Sequence, residues 1–238
     1  VYMWFSLEDI RQFTQEQSDM VWVNDGKINV ENVFGRSLSL VTRFRDEHIS
    51  DNLITWTPAW NEALREDRHI FTACATWSVK FSIESSDPQQ KNLGRWGLMS
   101  APEGNANLGG TSMGITKTCK DKRLAWEFLK FATLSTEGAR TLNSMGLMTT
   151  AKKPYEEDPS LKSYKSRWFG NQDLGIYYMD HIIPSIKTRT LTSQDGVIHE
   201  CLWMILNALN RDGNLSSEEA EELLREELQK ELKDITVY

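Results

Sequence analysis

The spacing of apolar and polar positions changes several times along the chain, and each change marks an element. Asn24-Asp25-Gly26-Lys27 is a turn signal in which Gly26 supplies a positive φ. Ile28-Asn29-Val30 alternates like a short strand edge. Leu38, Val41 and Phe44 recur every three residues, which predicts a helix ending near His48. Thr57 before Pro58 reads as an N-cap with proline at the first helical position. That helix carries Trp60, Ala63 and Leu64 to about Arg68. Ile70 to Trp77 is an apolar run that predicts a buried strand, and Arg95 to Met99 predicts a second, closed by Ala101-Pro102. From about Asp121 to Thr133 the period becomes helical, with Leu124, Phe128, Leu129 and Phe131. Ser135 caps a further helix that ends at Gly146.

Lys152 to Asn171 is polar and broken by proline, so it reads as loop and short helix. Asp173 caps a helix through Ile176, Tyr177 and His181 that stops at Pro184. Gln194 to Asn210 is a strongly apolar helix. Ser216 and Glu219 form a capping box that opens a charged helix through Leu223, Leu224, Leu228 and Leu232. Strands interspersed with a larger share of helix predict an α/β fold. No internal repeat and no low-complexity tract is present.

Composition narrows the class. The 238 residues carry a formal charge of −7 and no basic block, which argues against a nucleic-acid partner or an anionic membrane surface. Rich aromatic content with few prolines and glycines does not describe a disordered chain. No stretch approaches the roughly 18 apolar residues of a membrane helix. Cys74, Cys119 and Cys201 are too few for a disulfide framework. The four histidines, His48, His69, His181 and His199, are scattered without metal-ligand spacing, so no cofactor or metal is expected. The start Val1-Tyr2-Met3-Trp4-Phe5 is neither a secretory signal nor a lipoprotein start.

Enzyme motifs are weak. No GxSxG surrounds a serine and no GxxxxGK[ST] occurs. The carboxylates of Glu156-Glu157-Asp158 and Glu218 to Glu227 read as solvated faces. Asn210, Asp212, Asn214, Ser216 and Glu221 imitate a calcium loop, but Leu215 stands where glycine belongs, and a turn followed by a capped helix explains the same residues.

Aromatic side chains carry the better signal. Trp77 ends a predicted strand where the chain turns into a helix, a position that faces a cleft in open α/β sheets. An indole offers a flat apolar face at little entropy cost, and sugar rings present apolar C–H faces to match. For Trp77, Trp4 and Trp168, beside loops or turns, stacking on a ligand and packing on the protein are both open. Trp126 and Trp203, inside amphipathic helices, are expected in a core, and so is Trp96.

Four stretches together resemble the extracellular solute-binding proteins of sugar ABC importers, the family that includes maltose-binding protein. They are Phe71 to Trp77, Gly94 to Pro102, Gly109 to Lys117 followed by Ala125 to Phe131, and Ser216 to Ala220. The resemblance runs over about Asp25 to Lys233. It implies a two-lobed class II periplasmic-binding-protein-like α/β fold, largely helical here, that closes around a ligand by hinge bending. Members are longer, so the resemblance further implies a C-terminal fragment lacking most of the N-terminal lobe. Residues 1–110 would be the first part of the C-terminal lobe. Residues 111–172 would be the hinge crossing and N-terminal-lobe segments, and 173–238 the closing helices of the C-terminal lobe.

By position, Trp77 would stack on a sugar ring, and Tyr2 and Trp4 would match an aromatic patch of the cleft. Gly110 and Thr111 would lie at the hinge beside the ligand. Trp168 and Asp173 fall in a segment that some members carry near the cleft, with Asp173 equally readable as a plain N-cap. Ala75-Thr76 departs from the Gly-Pro or Gly-Ser often found before the Trp. The implied function is carbohydrate capture and delivery to an ABC permease outside the cytoplasmic membrane, in the periplasm or as a cell-surface lipoprotein, without catalysis. Two rival readings stand beside it: a carbohydrate-active enzyme using paired carboxylates such as Glu84 and Asp173, and a protein-interaction module. A bare face left by the missing lobe would also promote self-association.

Overall fold

The structure, a computed structural model, describes residues 21–51, 53–66, 68–101, 104–105, 110–186 and 190–238. The chain divides into two compact units, Val1–Ala73 with Lys187–Tyr238, and Cys74–Ile186.

The first unit begins with the predicted turn, where Asp25 and Gly26 both adopt positive φ, 48° and 69°. It feeds strand β1 (Lys27–Ile28). β1 pairs in parallel with β2 (Thr236–Val237), in the register Lys27 to Thr236 and Ile28 to Val237. A π-helical turn, Glu31–Gly35, runs into α1 (Arg36–Asp46). Thr57 caps α2 (Pro58–Arg65) as expected, accepting from the Trp60 N–H, but α2 ends before Arg68. The apolar helix is α8 (Asp195–Arg211) and the capping box opens α9 (Ser217–Glu231).

Ile198, Leu202, Leu206 and Leu209 repeat at three- and four-residue spacing along α8, and they lock against Leu38, Phe34, Leu224 and Leu228 in one core. Arg45 finishes the junction by donating from Nη1 to the carbonyls of Leu209, Asp212 and Leu215, each at 2.8 Å. A cation at these last carbonyls satisfies acceptors that a helix leaves over and suits its negative end.

In the second unit, the helical stretch α3 (Thr76–Ser78) continues as π-turns over Val79–Glu84. Then come α4 (Lys122–Leu134), capped by Asp121, and α5 (Thr136–Ser144), capped by Ser135. Gly146 adopts φ 73° beyond the end of α5. Two short helices follow, α6 (Lys153–Glu157) and α7 (Leu174–Tyr177). The core of this unit is smaller: Val79, Ile83, Leu98, Phe169, Leu174 and Tyr178.

Several expectations need correction. Neither Ile70 to Trp77 nor Arg95 to Met99 forms a strand; among the described residues β1 and β2 make the sheet. Arg95 to Met99 is extended but bonds to loop groups: Trp96 N donates to Trp168 O at 3.0 Å, and the Gln172 side-chain amide pairs with both polar atoms of Leu98, each at 2.7 Å. A side chain thus takes the place of a neighbouring strand. Trp126 and Trp203 are exposed at 51% and 42% rather than in a core. Trp203 stands about 100° around α8 from Leu202, off the packed stripe. Trp126 stands about 60–120° around α4 from Leu129, Ala125 and Ala132, its half-buried side. Trp96 is half-buried against the second core.

Candidate functional site

Chemically distinctive side chains gather in the second unit around the helix that begins at Thr76. Ala75 is extended (φ −72°, ψ 161°) and the chain turns helical at once, so Trp77 sits at an extended-to-helix turn as the sequence predicts. Its side chain is half-buried, and Ser78 beside it is buried. The helix runs on through Ser86 and delivers two carboxylates at its far end. Glu84 accepts from Ser166 Oγ at 2.7 Å, from Tyr164 Oη at 3.4 Å and from Lys80 Nζ at 2.9 Å. Burial, then the negative charge and hydrogen bond of Glu84, push the Tyr164 phenol up to about 12.

Asp87 is almost completely buried and fully employed. It accepts the backbone N–H of Lys91 and Asn92, at 3.0 and 2.9 Å, and the indole N–H of Trp168 at 3.0 Å. Burial pushes its pKa up, but the three hydrogen bonds outweigh that cost and hold the carboxyl below its ordinary value. The Trp168 indole is therefore fixed by its polar edge, while its ring is half-buried on the second core. About ten helical positions separate Trp77 from Asp87, roughly 15 Å of axis. Trp77 and Trp168 thus belong to opposite ends of this helix.

Asp173 caps α7. It accepts from Ser163 Oγ and from the backbone N–H of Tyr164 and Ile176 at 3.1 and 3.2 Å. Burial acts to raise its pKa, and these three donors bring it net below the usual range. Gly175 follows where a Cβ would lie 2.2 Å from Lys162 O, so only glycine lets the two backbones pass this closely. Glu84 and Asp173 both bond to Tyr164, one to its hydroxyl and one to its backbone. Both are occupied in holding the loop from Ser163 to Asp173. Gly110 and Thr111 lie in an exposed stretch of the same unit, without helix or strand. Tyr2 and Trp4 lie outside the described residues.

A cavity lined by Thr76, Asn143, Tyr164 and Tyr178 has room for about one water, too little for a sugar ring. No group of three or more metal-ligating side chains occurs among the described residues. Asp212 and Ser216, two members of the calcium-like pattern, serve as turn and cap: Asp212 accepts from Asn214 N, and Ser216 forms the capping box with Glu219. In the first unit, buried His69 meets Asp51 at 2.6 Å through Nε2, while its Nδ1 has no partner among the described residues. No hydroxyl or thiol among them therefore completes this pair into a nucleophilic triad.

Reading the sequence missed Asp87 and the clamp made by Gln172. Asp87-Pro88 carried a turn signal that could have pointed to the first. Nothing local marks the second, because Gln172 bonds a residue 74 positions away.

A family model described as bacterial extracellular solute-binding protein matches residues 2–167, more than half of the chain. No curated protein matches. Among solved structures, an extracellular solute-binding protein family 1 member superposes with a TM-score of 0.77 at 17% identity, over 97% of this chain and 59% of its own. The galacto-N-biose/lacto-N-biose I-binding protein of an ABC transporter from Bifidobacterium longum, in complex with lacto-N-biose, superposes with a TM-score of 0.71 at 15% identity. It is matched over 100% of this chain and 61% of its own. The chain therefore spans about three fifths of the length of these structures, and its fold is of the two-lobed periplasmic-binding-protein kind.

Proposed function

Because the chain belongs to the bacterial extracellular solute-binding protein family, we propose that it is part of the carbohydrate-capturing component of an ABC importer. Trp77 carries this reading. A half-buried indole at an extended-to-helix turn offers a flat apolar surface of the kind that pyranose rings stack on. The likeness of the whole chain to a binding protein that holds a disaccharide supports it.

In this proposal residues 1–110 and 173–238 belong to the C-terminal lobe and residues 111–172 to the hinge crossing and N-terminal-lobe segments, a division that runs within the compact unit Cys74–Ile186, with the remainder of the N-terminal lobe outside this chain. Gly110 and Thr111 would lie beside the ligand with Trp77. Trp168, at the other end of the helix that carries Trp77, would meet only a ligand long enough to reach it, and Asp173 would order the loop that carries it. Sugar favours the closed arrangement by its differential affinity for that state, and closed protein docks on the permease. The work is done outside the cytoplasmic membrane, in the periplasm or at the cell surface as a lipoprotein. No step requires catalysis, since the two carboxylates of the enzyme alternative are committed to Tyr164, Ser163 and Ser166.

Calorimetric and tryptophan-fluorescence titration with mono- and oligosaccharides tests the reading. The chain is measured alone and in a form extended at its N-terminus. At least one sugar is expected to bind the extended form, and Trp77→Ala to weaken it tenfold or more, about 1.4 kcal/mol. Absence of any sugar response in both forms, or full affinity in Trp77→Ala, rejects it.

A further inference from the structure

The helix that begins at Thr76 has a weak start. Ala75 stands at its N-cap position, and no side chain caps it. Three residues, Thr76–Ser78, are α-helical before the π-turns of Val79–Glu84 take over. A first turn without a capping side chain frays readily, because its leading N–H groups lack intrahelical acceptors. Trp77 lies in this turn, about 100° around from buried Ser78. The direction of its indole therefore depends on what fixes the backbone just ahead of it.

Tyr178 fixes that backbone from 104 positions away, donating from its hydroxyl to the Cys74 carbonyl at 2.7 Å. The Ala75 carbonyl, one residue on, accepts from Ser78 N at 2.9 Å and closes the turn around Trp77. The Tyr178 ring is buried in one core with Val79 and Ile83, which belong to the same helix as Trp77. Burial pushes the Tyr178 phenol pKa well up, so the hydroxyl keeps its proton and remains a donor. Close packing does not lock the turn in the same way, since Thr76 and Tyr178 both line the water-sized cavity. Tyr178 also follows α7 directly, and Asp173 caps α7. The Trp77 turn is thereby tied to the loop that Asp173 and Glu84 hold.

We propose that Tyr178 is a positioning residue for Trp77: by holding the Cys74 carbonyl, its hydroxyl sets the angle at which the indole meets a ligand. The consequence for binding rests on the carbohydrate reading, whereas the orientation of the indole does not.

Fluorine NMR with 5-fluorotryptophan incorporated tests the proposal, in the chain and in its N-terminally extended form. Trp77→Phe and Trp168→Phe assign two of the resonances. Tyr178→Phe keeps the ring and removes the hydroxyl. It is expected to shift or broaden the Trp77 resonance and to leave that of Trp168, held by Asp87 at the far end of the helix, in place. Ile83→Val in the same core is the control for lost stability. It is expected to lower the thermal midpoint and leave the Trp77 resonance where it was. In the extended form, affinity for lacto-N-biose, the disaccharide held by one of the related structures, is expected to fall about fivefold in Tyr178→Phe and to be unchanged in Ile83→Val. An unmoved Trp77 resonance in Tyr178→Phe overturns the proposal, and so does an equal change in Ile83→Val. Full affinity for lacto-N-biose in Tyr178→Phe overturns it as well. Where lacto-N-biose does not bind the wild type, the resonance alone decides, so failure of the carbohydrate reading is told apart from failure of this one.

Discussion

In the unit that holds α8 and α9, Leu202, Leu206, Leu209, Leu224 and Leu228 are removed almost completely from water, whereas in the unit Cys74–Ile186 the longest helix, α4, buries nothing. The first unit closes a large apolar core by packing α1 on the consecutive helices α8 and α9, some 150 residues further along the chain. The second has six buried apolar residues in its core cluster among those described, and it relies on polar joints: Asp87 to Trp168, Glu84 to Ser166, Asp173 to Ser163 and Gln172 to Leu98. Apolar burial is cumulative and tolerant of geometry, while a buried hydrogen bond contributes little net but is costly to break on one side. The first unit is therefore sensitive to lost volume, and the second to lost partners.

The largest expected effect contrasts two leucines. Leu224→Ala in the first core is expected to cost about 2–5 kcal/mol, and Leu124→Ala on the bare side of α4 less than about 0.5 kcal/mol. Urea unfolding of both variants checks this, and similar losses would dissolve the contrast.

Next is Asp87→Ala, which strands two backbone N–H groups and the Trp168 indole N–H. A loss of about 2–3 kcal/mol is expected. The same joint sets an acid limit. Asp87 and Asp173 are held below the usual carboxylate range in the folded chain. As pH falls through about 4, the unfolded chain takes up protons first. Their stabilisation is therefore complete above that value and is lost below it. Asp87→Asn and Asp173→Asn should flatten the acid limb of a stability–pH curve, and an unchanged limb would contradict the polar-joint account.

Smaller effects belong to the two tryptophans found outside the cores. Trp126→Ala and Trp203→Ala should each cost about 1 kcal/mol or less, against about 3–5 kcal/mol for a buried tryptophan. Thermal unfolding distinguishes these ranges.

Smallest is a gain. Burial, and then the neighbouring Glu31, raise the pKa of Glu221. Its ionised form therefore disfavours the folded state at neutral pH. Glu221→Gln should stabilise by about a few tenths of a kcal/mol at pH 7. The gain should disappear in acid, where wild-type Glu221 is protonated; a gain that persists there would point to a packing effect.

Short-range signals in the chain were enough to place the caps and helices. Thr57, Ser135, Asp173 and Ser216 each cap where the sequence predicts, because a cap is settled within three or four residues. The turn at Asp25-Gly26 and the helical start at Trp77 were legible for the same reason. Of the leucines read along the charged last helix, Leu224, Leu228 and Leu232 are buried and Leu223 is exposed.

What covers a face was not legible. Trp126 and Trp203 satisfied the residue type expected of a core, and the apolar pattern of α4 looked like that of a buried helix. Burial requires a second surface, and a second surface is a fact of tertiary arrangement rather than of local pattern. Extended runs carry the same lesson: Arg95 to Met99 adopts its extended form, but Trp168 and Gln172 meet its hydrogen bonds. The site divides along this line too. Trp77 could be found from its position before a helix. The employment of Asp87, Glu84 and Asp173 as loop anchors was settled only by the folded chain. Folding brings Asp87 and Glu84 to groups some 80 residues away and leaves each buried charge with the donors it needs.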